Sequence, residues 1–320
     1  MRAEDDTAQM TETVCVTGAS SQLGVFLLPR LRAAGYRVAA VSRRAPRRRP
    51  AVAGEVLWLH PDVLASGGAS PGPPERFHHL VSCGPLELAC DIVRHGPDLR
   101  RVVAFSSSSV VSKAESRDRT ESSQMAAMAQ QERYLADACA ERALPLLLLR
   151  PTLIYGCGRD RNISLLAGLA RRFGAIPLSG KAGGRRQPVH ADDLAALAVR
   201  ALSAADPPAM ISEVCGGSIL TYREMVRRVA AVAPGTVRLV TLPVGLMIAL
   251  VWLLSLVPAW RGLGVEMVRR QNRDLVFDDS ALRRALEWSP RPFEPTAADF
   301  EVPDYARPFQ LPAPPPQERL

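Results

Sequence analysis

TVCVTGASSQLGVFLLPRLRAAG, residues 13–35, decides the fold. Residues 13–17 are a Val- and Thr-rich run that reads as a buried strand, and residues 25–35 have helical spacing and close on Gly35. Between them lies the turn TGASSQLG, residues 17–24. A pyrophosphate can be held at such a turn only if the backbone approaches it closely and the free N–H groups of the helix start point at it. That requires glycine at 18 and 24, with Ser20, Ser21, Gln22 and Leu23 as the remaining turn contacts. An ordinary glycine turn is the alternative, and the strand–turn–helix setting inside a βαβ unit favours the dinucleotide reading.

Outward from this turn, short apolar runs recur at 36–42, 55–59, 79–83, 101–106 and 145–150. Stretches of helical composition separate several of them, among them 86–96 and 121–142. This rhythm predicts an α/β chain with a doubly wound parallel sheet. The 320 residues are 47% hydrophobic and 22% charged, which excludes disordered, fibrous and disulfide-scaffold classes. No internal repeat is visible; GGASPGPP at 67–74 reads as a loop and PAPPPQERL at 312–320 as a disordered tail.

The net charge of +8 rests on 38 arginines and only two lysines, Lys113 and Lys181. It is spread along the chain apart from Arg43 to Arg49, which points to phosphorylated small molecules before nucleic acid. Aromatic residues make up only 5% and do not interleave with that basic run. Six cysteines without a CxxC pair or a Cys/His cluster imply reduced thiols and no metal. The acidic, polar N-terminal decapeptide is unlike a secretory signal, so the expected location is cytoplasmic. Val244 to Val257 (VGLMIALVWLLSLV) is too short to span a bilayer and predicts a buried or interfacial helix, with peripheral membrane association as a further reading.

Discrimination between dinucleotides depends on the end of the second strand, where a carboxylate would bind the ribose hydroxyls. Residues 25–54 contain no Asp or Glu, whereas Ser42, Arg43 and Arg44 follow the strand and suit a 2′-phosphate. NADP(H) is therefore expected over NAD(H). Arg47 to Arg49 read as a solvated loop, and Asp62 either holds the adenine amino group or serves a cap or turn.

With these residues in hand, the chain resembles the extended short-chain dehydrogenase/reductases, the NAD(P)-dependent sugar-nucleotide epimerases, dehydratases and 4-reductases. TGASSQLG is similar to that family's glycine turn, AFSSSSV (104–110) to its serine block, and LRPTLIYG (149–156) to its RPxxxYG block. QPVHADDLA (187–195) and DLVFDDSALRRALEWSPRPF (274–293) follow in the family's order. The resemblance implies a Rossmann domain over 12–152 plus 189–216 and a smaller, mostly C-terminal substrate-facing domain over 153–188 plus 217–300. A proline-rich tail, 301–320, would follow. It implies Gly18 and Gly24 at the pyrophosphate, Ser107 on the substrate oxygen with Ser108 beside it, and Pro151, Thr152 and Leu153 bordering the nicotinamide. Arg186 and Asn162 would contact the diphosphate of a nucleotide-sugar substrate. His190 is either a substrate-side group or the cap of the helix starting at Asp192 and Asp193. The family also implies a homodimer.

The family's YxxxK pair is missing. A Tyr needs a cation one helical turn away to act as a base near neutral pH, and the fourth residue after each of the five tyrosines is Ala40, Ala138, Arg159, Val226 or Phe309. Aligning on Glu132 places Gln124 at the Tyr position and Met128 at the Lys position, and neither can do acid/base work. Ser21 stands where the turn's middle glycine is expected. Ser108 and Ser109 occupy the places of the dehydratases' Asp-Glu pair, which disfavours dehydration. Two functions follow: an epimerase or 4-keto reductase whose proton is moved by Ser107, Ser122, Ser123, Tyr134 or an ordered water, or a catalytically silent NAD(P)-binding scaffold.

Overall fold

The computed structural model describes residues 12–47, 51–65, 76–96, 99–114, 116, 118–160, 162–206, 208–256 and 264–311. β1 (Thr13–Thr17) runs through the glycine turn into α1 (Gln22–Ala33) and β2 (Arg37–Val41). A hairpin of β3 (Ala51–Ala53) and β4 (Val56–Leu59) leads to α2 (Pro61–Ala65), β5 (His79–Ser82), α3 (Leu86–His95) and β6 (Arg101–Phe105). After α4 (Ser109–Ser112), the long α5 (Arg119–Glu141) returns the chain to β7 (Leu146–Pro151). Then come β8 (Ile154–Tyr155), α6 (Ile163–Phe173), β9 (Ala175–Ser179), β10 (Arg185–Arg186), β11 (Val189–His190), α7 (Ala191–Ser203) and β12 (Met210–Val214). β13 (Leu220–Thr221), α8 (Tyr222–Ala231), β14 (Arg238–Leu242), α9 (Val244–Ser255), α10 (Val265–Arg270) and α11 (Ser280–Ala285) complete the regular elements, with two short 3₁₀ helices beyond them.

The central sheet has the order β12-β7-β6-β5-β1-β2-β4-β3 and is parallel except for the edge strand β3. The expected doubly wound sheet is therefore present. The hairpin carrying β3 is an addition that the alanine-rich stretch after the basic run gave no alternation to announce. Alternate residues of each inner strand feed opposite faces. Val14, Val16 and Leu149 pack with Leu27, Leu31 and Leu194 of α1 and α7, while Cys15, Leu80 and Leu148 pack with Val93 and Leu135 of α3 and α5. Because both faces are covered, the strands are apolar without interruption.

α1 and α7 lie side by side, and Arg30 forks onto Asp192 with contacts of 2.6 and 2.8 Å, joined by Arg291. A third core holds Ile163, Ile176, Met225, Val229 and Phe293, and a small fourth joins Met247 and Val251 to Val268. Residues 301–311, placed with the tail by their position in the sequence, instead form the 3₁₀ helix Asp304–Phe309 against α1, with Ala306 buried. The loop at 67–74, Arg48, Arg49 and the segment 312–320 lie outside the described residues.

Candidate active site

Direction of the chain reverses between β1 and β5, so their carboxyl ends form the crevice where open α/β sheets take ligands. The turn after β1 enters it. Gly18 has φ +63°, and a Cβ there would stand 2.5 Å from the main chain of Cys83 at the end of β5. A Cβ on Gly24 would meet the Ala19 carbonyl at 2.0 Å, so this glycine lets α1 start directly under the turn. Ser21, in place of the middle glycine, caps α1 by accepting a hydrogen bond from the Gly24 amide at 3.2 Å. Both glycines are thus enforced by contact, and the turn with its bare helix start fits a dinucleotide pyrophosphate.

Ser42 is buried at the end of β2, 2.9 Å from the Ser20 hydroxyl, and accepts from the Arg44 amide. The Arg43 and Arg44 side chains are exposed and make no ion pair among the described residues. The residues beyond β2 therefore present two guanidiniums and no carboxylate. Asp62 sits in the first turn of α2, 3.6 Å from Arg47 and 3.3 Å from His60.

A cleft of about 840 Å³ continues from the turn toward the C-terminal half. Gln22, Ser107, Ser108, Thr152, Leu153, Asn162 and Arg186 line it together. Gln22 also donates to the Gly156 carbonyl at 2.7 Å, and Arg159 donates to the Ser20 carbonyl at 2.9 Å. The RPTLIYG loop thereby clamps the phosphate turn and brings Arg159 beside it. In the sequence Arg159 is marked only as the fourth residue after Tyr155. Ser107, at the end of β6, accepts from the Ser109 amide at 3.1 Å and is half-buried. Pro151 closes β7 beneath Thr152, whose hydroxyl donates to the Gln187 carbonyl. Asn162 occupies the N-cap position of α6 without a side-chain cap bond.

Arg186 is the most informative side chain of the cleft. It is 6% exposed, lies over the Tyr222 ring, and donates to the carbonyls of Arg185, Arg273 and Arg270. Among the described residues it has no carboxylate partner, and burial pulls its guanidinium below the usual value. A buried cation held only by dipoles favours an anion beside it.

His190 resolves differently. Its Nδ1 accepts from the Asp192 amide at 3.0 Å and its Nε2 lies 3.1 Å from Asp299, so both ring nitrogens are engaged by α7 and the C-terminal segment. It does not line the cleft.

Glu132 is buried in α5 and takes a bidentate grip from Arg150 of β7, with Nε 3.1 Å from each carboxylate oxygen. Counting back from this anchor, Met128 is half-buried, Gln124 is exposed, and neither lines the cleft. Ser122, Ser123 and Tyr134 do not line it either: Ser122 donates to the Arg119 carbonyl, and the exposed Tyr134 bonds Gln130. Three helical turns before Glu132, about 11 residues, the same face carries Glu121. Glu121 receives Lys113 at 2.9 Å, Arg270 at 2.8 Å and the Ser116 hydroxyl at 2.6 Å. Burial pushes its carboxyl up, but the bonds from Arg270, Ser116 and Lys113 outweigh this and hold its pKa down to about 2. Lys113 and Arg270 both line the cleft, so a charged triad stands at the end of α5. Sequence reasoning missed it, because its members are brought together across up to 149 positions.

Among the described residues no His, Cys, Asp and Glu cluster could hold a metal ion, and no helix is long and apolar enough to cross a membrane. Residues 60–212 match the NAD dependent epimerase/dehydratase family. No curated protein matches the sequence significantly. Among solved structures, the chain is similar to UDP-N-acetylglucosamine 4-epimerase from Bacillus cereus, with 13% identity, 91% of this chain and 95% of that chain covered, and a TM-score of 0.64. It is similar to MoeE5 in complex with UDP-glucuronic acid and NAD, at 18% identity, 92% and 99% coverage and a TM-score of 0.63. UDP-glucose 4-epimerase from Thermotoga maritima, with UDP-glucose, gives 14% identity, 92% and 99% coverage and a TM-score of 0.62. The match over residues 60–212 covers just under half of the chain, and over most of its length the fold is similar to that of these sugar-nucleotide enzymes.

Proposed function

We propose that the chain is an NADP(H)-dependent epimerase or 4-keto reductase of a sugar diphosphate, the nucleotide sugars bound by compared structures being the first candidates. The observation that carries this is the convergence of Ser107, Thr152, Leu153 and the unpaired Arg186 on one cleft that opens from the glycine turn. When bound, the nicotinamide supplies or accepts hydride at a sugar carbon. Gly18 and Gly24 admit its pyrophosphate, and Arg43 and Arg44 meet a 2′-phosphate. Ser107 donates a hydrogen bond to the substrate oxygen, and Arg186 takes the diphosphate. Asn162 lines the cleft beside that group. Lys113 brings an ammonium to the cleft lining, and Glu121 keeps it oriented.

A second reading, a silent cofactor-binding scaffold, is favoured by the position of Gln124 and Met128 outside the cleft. Single-turnover absorbance at the nicotinamide band, with NADPH-loaded protein and a panel of 4-keto sugar diphosphates that differ in their carrier, separates the two. Oxidation of NADPH by one sugar is the expected result; tight NADPH binding without turnover would leave the scaffold. Sedimentation of the same sample tests the expected homodimer.

A further inference from the structure

The lining of the cleft combines two chemically unlike sets of side chains. Ser107, Lys113, Arg186 and Arg270 supply hydroxyl and cationic groups to its lining. Opposed to them in character, every side chain that α6, β9 and α9 turn into the cleft is apolar, among them Leu165, Leu169, Phe173, Met247, Leu250 and Leu254. A nucleobase against that apolar set would bury its carbonyl and N–H edges with no polar side chain from these elements to meet them, a cost of the order of 1–3 kcal/mol per unpaired group. A hydrocarbon there meets only its like.

The apolar lining is also open. Phe173 lines the cleft and is 56% exposed, which marks a mouth at the end of α6. Beside it α9 buries only Met247 and Val251, leaving Leu246, Trp252 and Leu253 exposed, with Leu256 exposed just after the helix. The apolar stretch expected to be buried or interfacial is therefore a wall of the cleft on one side and an apolar surface on the other. Arg171 and Arg172 end α6 at the same place, with Arg172 over the Phe173 ring at 5.6 Å. Apolar side chains rimmed by guanidiniums suit a chain emerging toward an anionic lipid surface.

We infer that the substrate's diphosphate is carried by a hydrocarbon chain and not by a nucleoside: an amphiphile whose anionic head sits at Arg186 and Arg270 and whose tail runs between α6 and α9. This rests on the sugar-diphosphate reading above and replaces only the carrier. No new bond chemistry is involved, since hydride and proton move at the sugar as before.

The test is isothermal titration calorimetry of the full chain, saturated with NADPH, against farnesyl diphosphate, UDP and inorganic diphosphate. Farnesyl diphosphate is expected to bind at least tenfold tighter than UDP, and about a hundredfold tighter than inorganic diphosphate. Leu250→Glu should erase that advantage while NADPH affinity and inorganic diphosphate affinity stay unchanged, and Arg186→Gln should weaken all three diphosphates. Phe173→Ser, at the exposed mouth, is a second variant that spares the core, and it should cut farnesyl diphosphate affinity severalfold. UDP binding as tightly as farnesyl diphosphate, or farnesyl diphosphate indifferent to both Leu250→Glu and Phe173→Ser, would overturn the inference while leaving the oxidoreductase reading in place. Farnesyl diphosphate binding to a protein that takes no NADPH would instead remove the oxidoreductase reading and keep the amphiphile site.

Discussion

The glycine turn and the apolar wall of α9 are built on opposite logic. At the turn, recognition is by backbone: Gly18 and Gly24 are where they are because the main chain of Cys83 and of Ala19 leaves no room for a Cβ. At the wall, recognition is by side-chain volume, with no polar side chain from α6, β9 or α9 in the lining. The first kind of site tolerates almost no substitution. The second can be rewritten residue by residue, which is why similarity of fold to nucleotide-sugar enzymes does not transfer the carrier of the sugar.

The sharpest way to break this comparison is Gly18→Val. A side chain 2.5 Å from the Cys83 main chain, on a backbone at φ +63°, forces the turn out of place, and NADPH affinity should fall at least ~100-fold in a nicotinamide fluorescence titration. Leu148→Ala separates folding from binding. Leu148 is fully buried in β7, and its truncation should cost about 3 kcal/mol in urea unfolding with NADPH affinity retained in the folded protein. A loss of affinity comparable to that at Gly18 would show that the turn reports general stability.

Legibility in the sequence followed the same divide. β1, the turn and α1 could be read because glycine spacing and strand–turn–helix order are local, and the six inner strands because a sheet covered on both faces must be apolar throughout. Arg186 and Ser107 could be read from motif order. The Lys113–Glu121–Arg270 triad could not, since only tertiary packing brings α4, α5 and α10 to one point. α9 was legible as an apolar helix of sub-membrane length, but which of its faces would line a cleft depends on β9 and α10. Gln124 and Met128 were found by counting from Glu132, and the Arg150 grip on Glu132 gives that count a physical anchor, while Glu121 one further turn ahead had no motif to mark it.

Smaller effects sharpen the cofactor end. Replacing Arg43 and Arg44 together by Ala should weaken NADPH about tenfold and leave NADH unchanged, because two exposed guanidiniums account for the 2′-phosphate and nothing else. An equal loss for both nucleotides would contradict the NADP(H) preference. The smallest expected effect is at Glu121, whose folded-state pKa is depressed to about 2 from 4.5. Its contribution to stability is complete above the unfolded pKa and is lost as pH falls through the folded one. The stability gap between the native chain and Glu121→Gln should therefore be constant above about pH 5 and close between about pH 4.5 and 2, as read by denaturant unfolding at each pH. A gap that opened on acidification would reverse the assigned sign.

The most direct measurement is a titration of the purified full chain with NADPH and with NADH, followed by nicotinamide fluorescence. Saturable binding with NADPH preferred by about tenfold is the predicted result, in keeping with a turn enforced by contact and two free guanidiniums after β2. Absence of binding by either nucleotide at millimolar concentration would contradict the account at its root, because the cleft would then have no hydride to move.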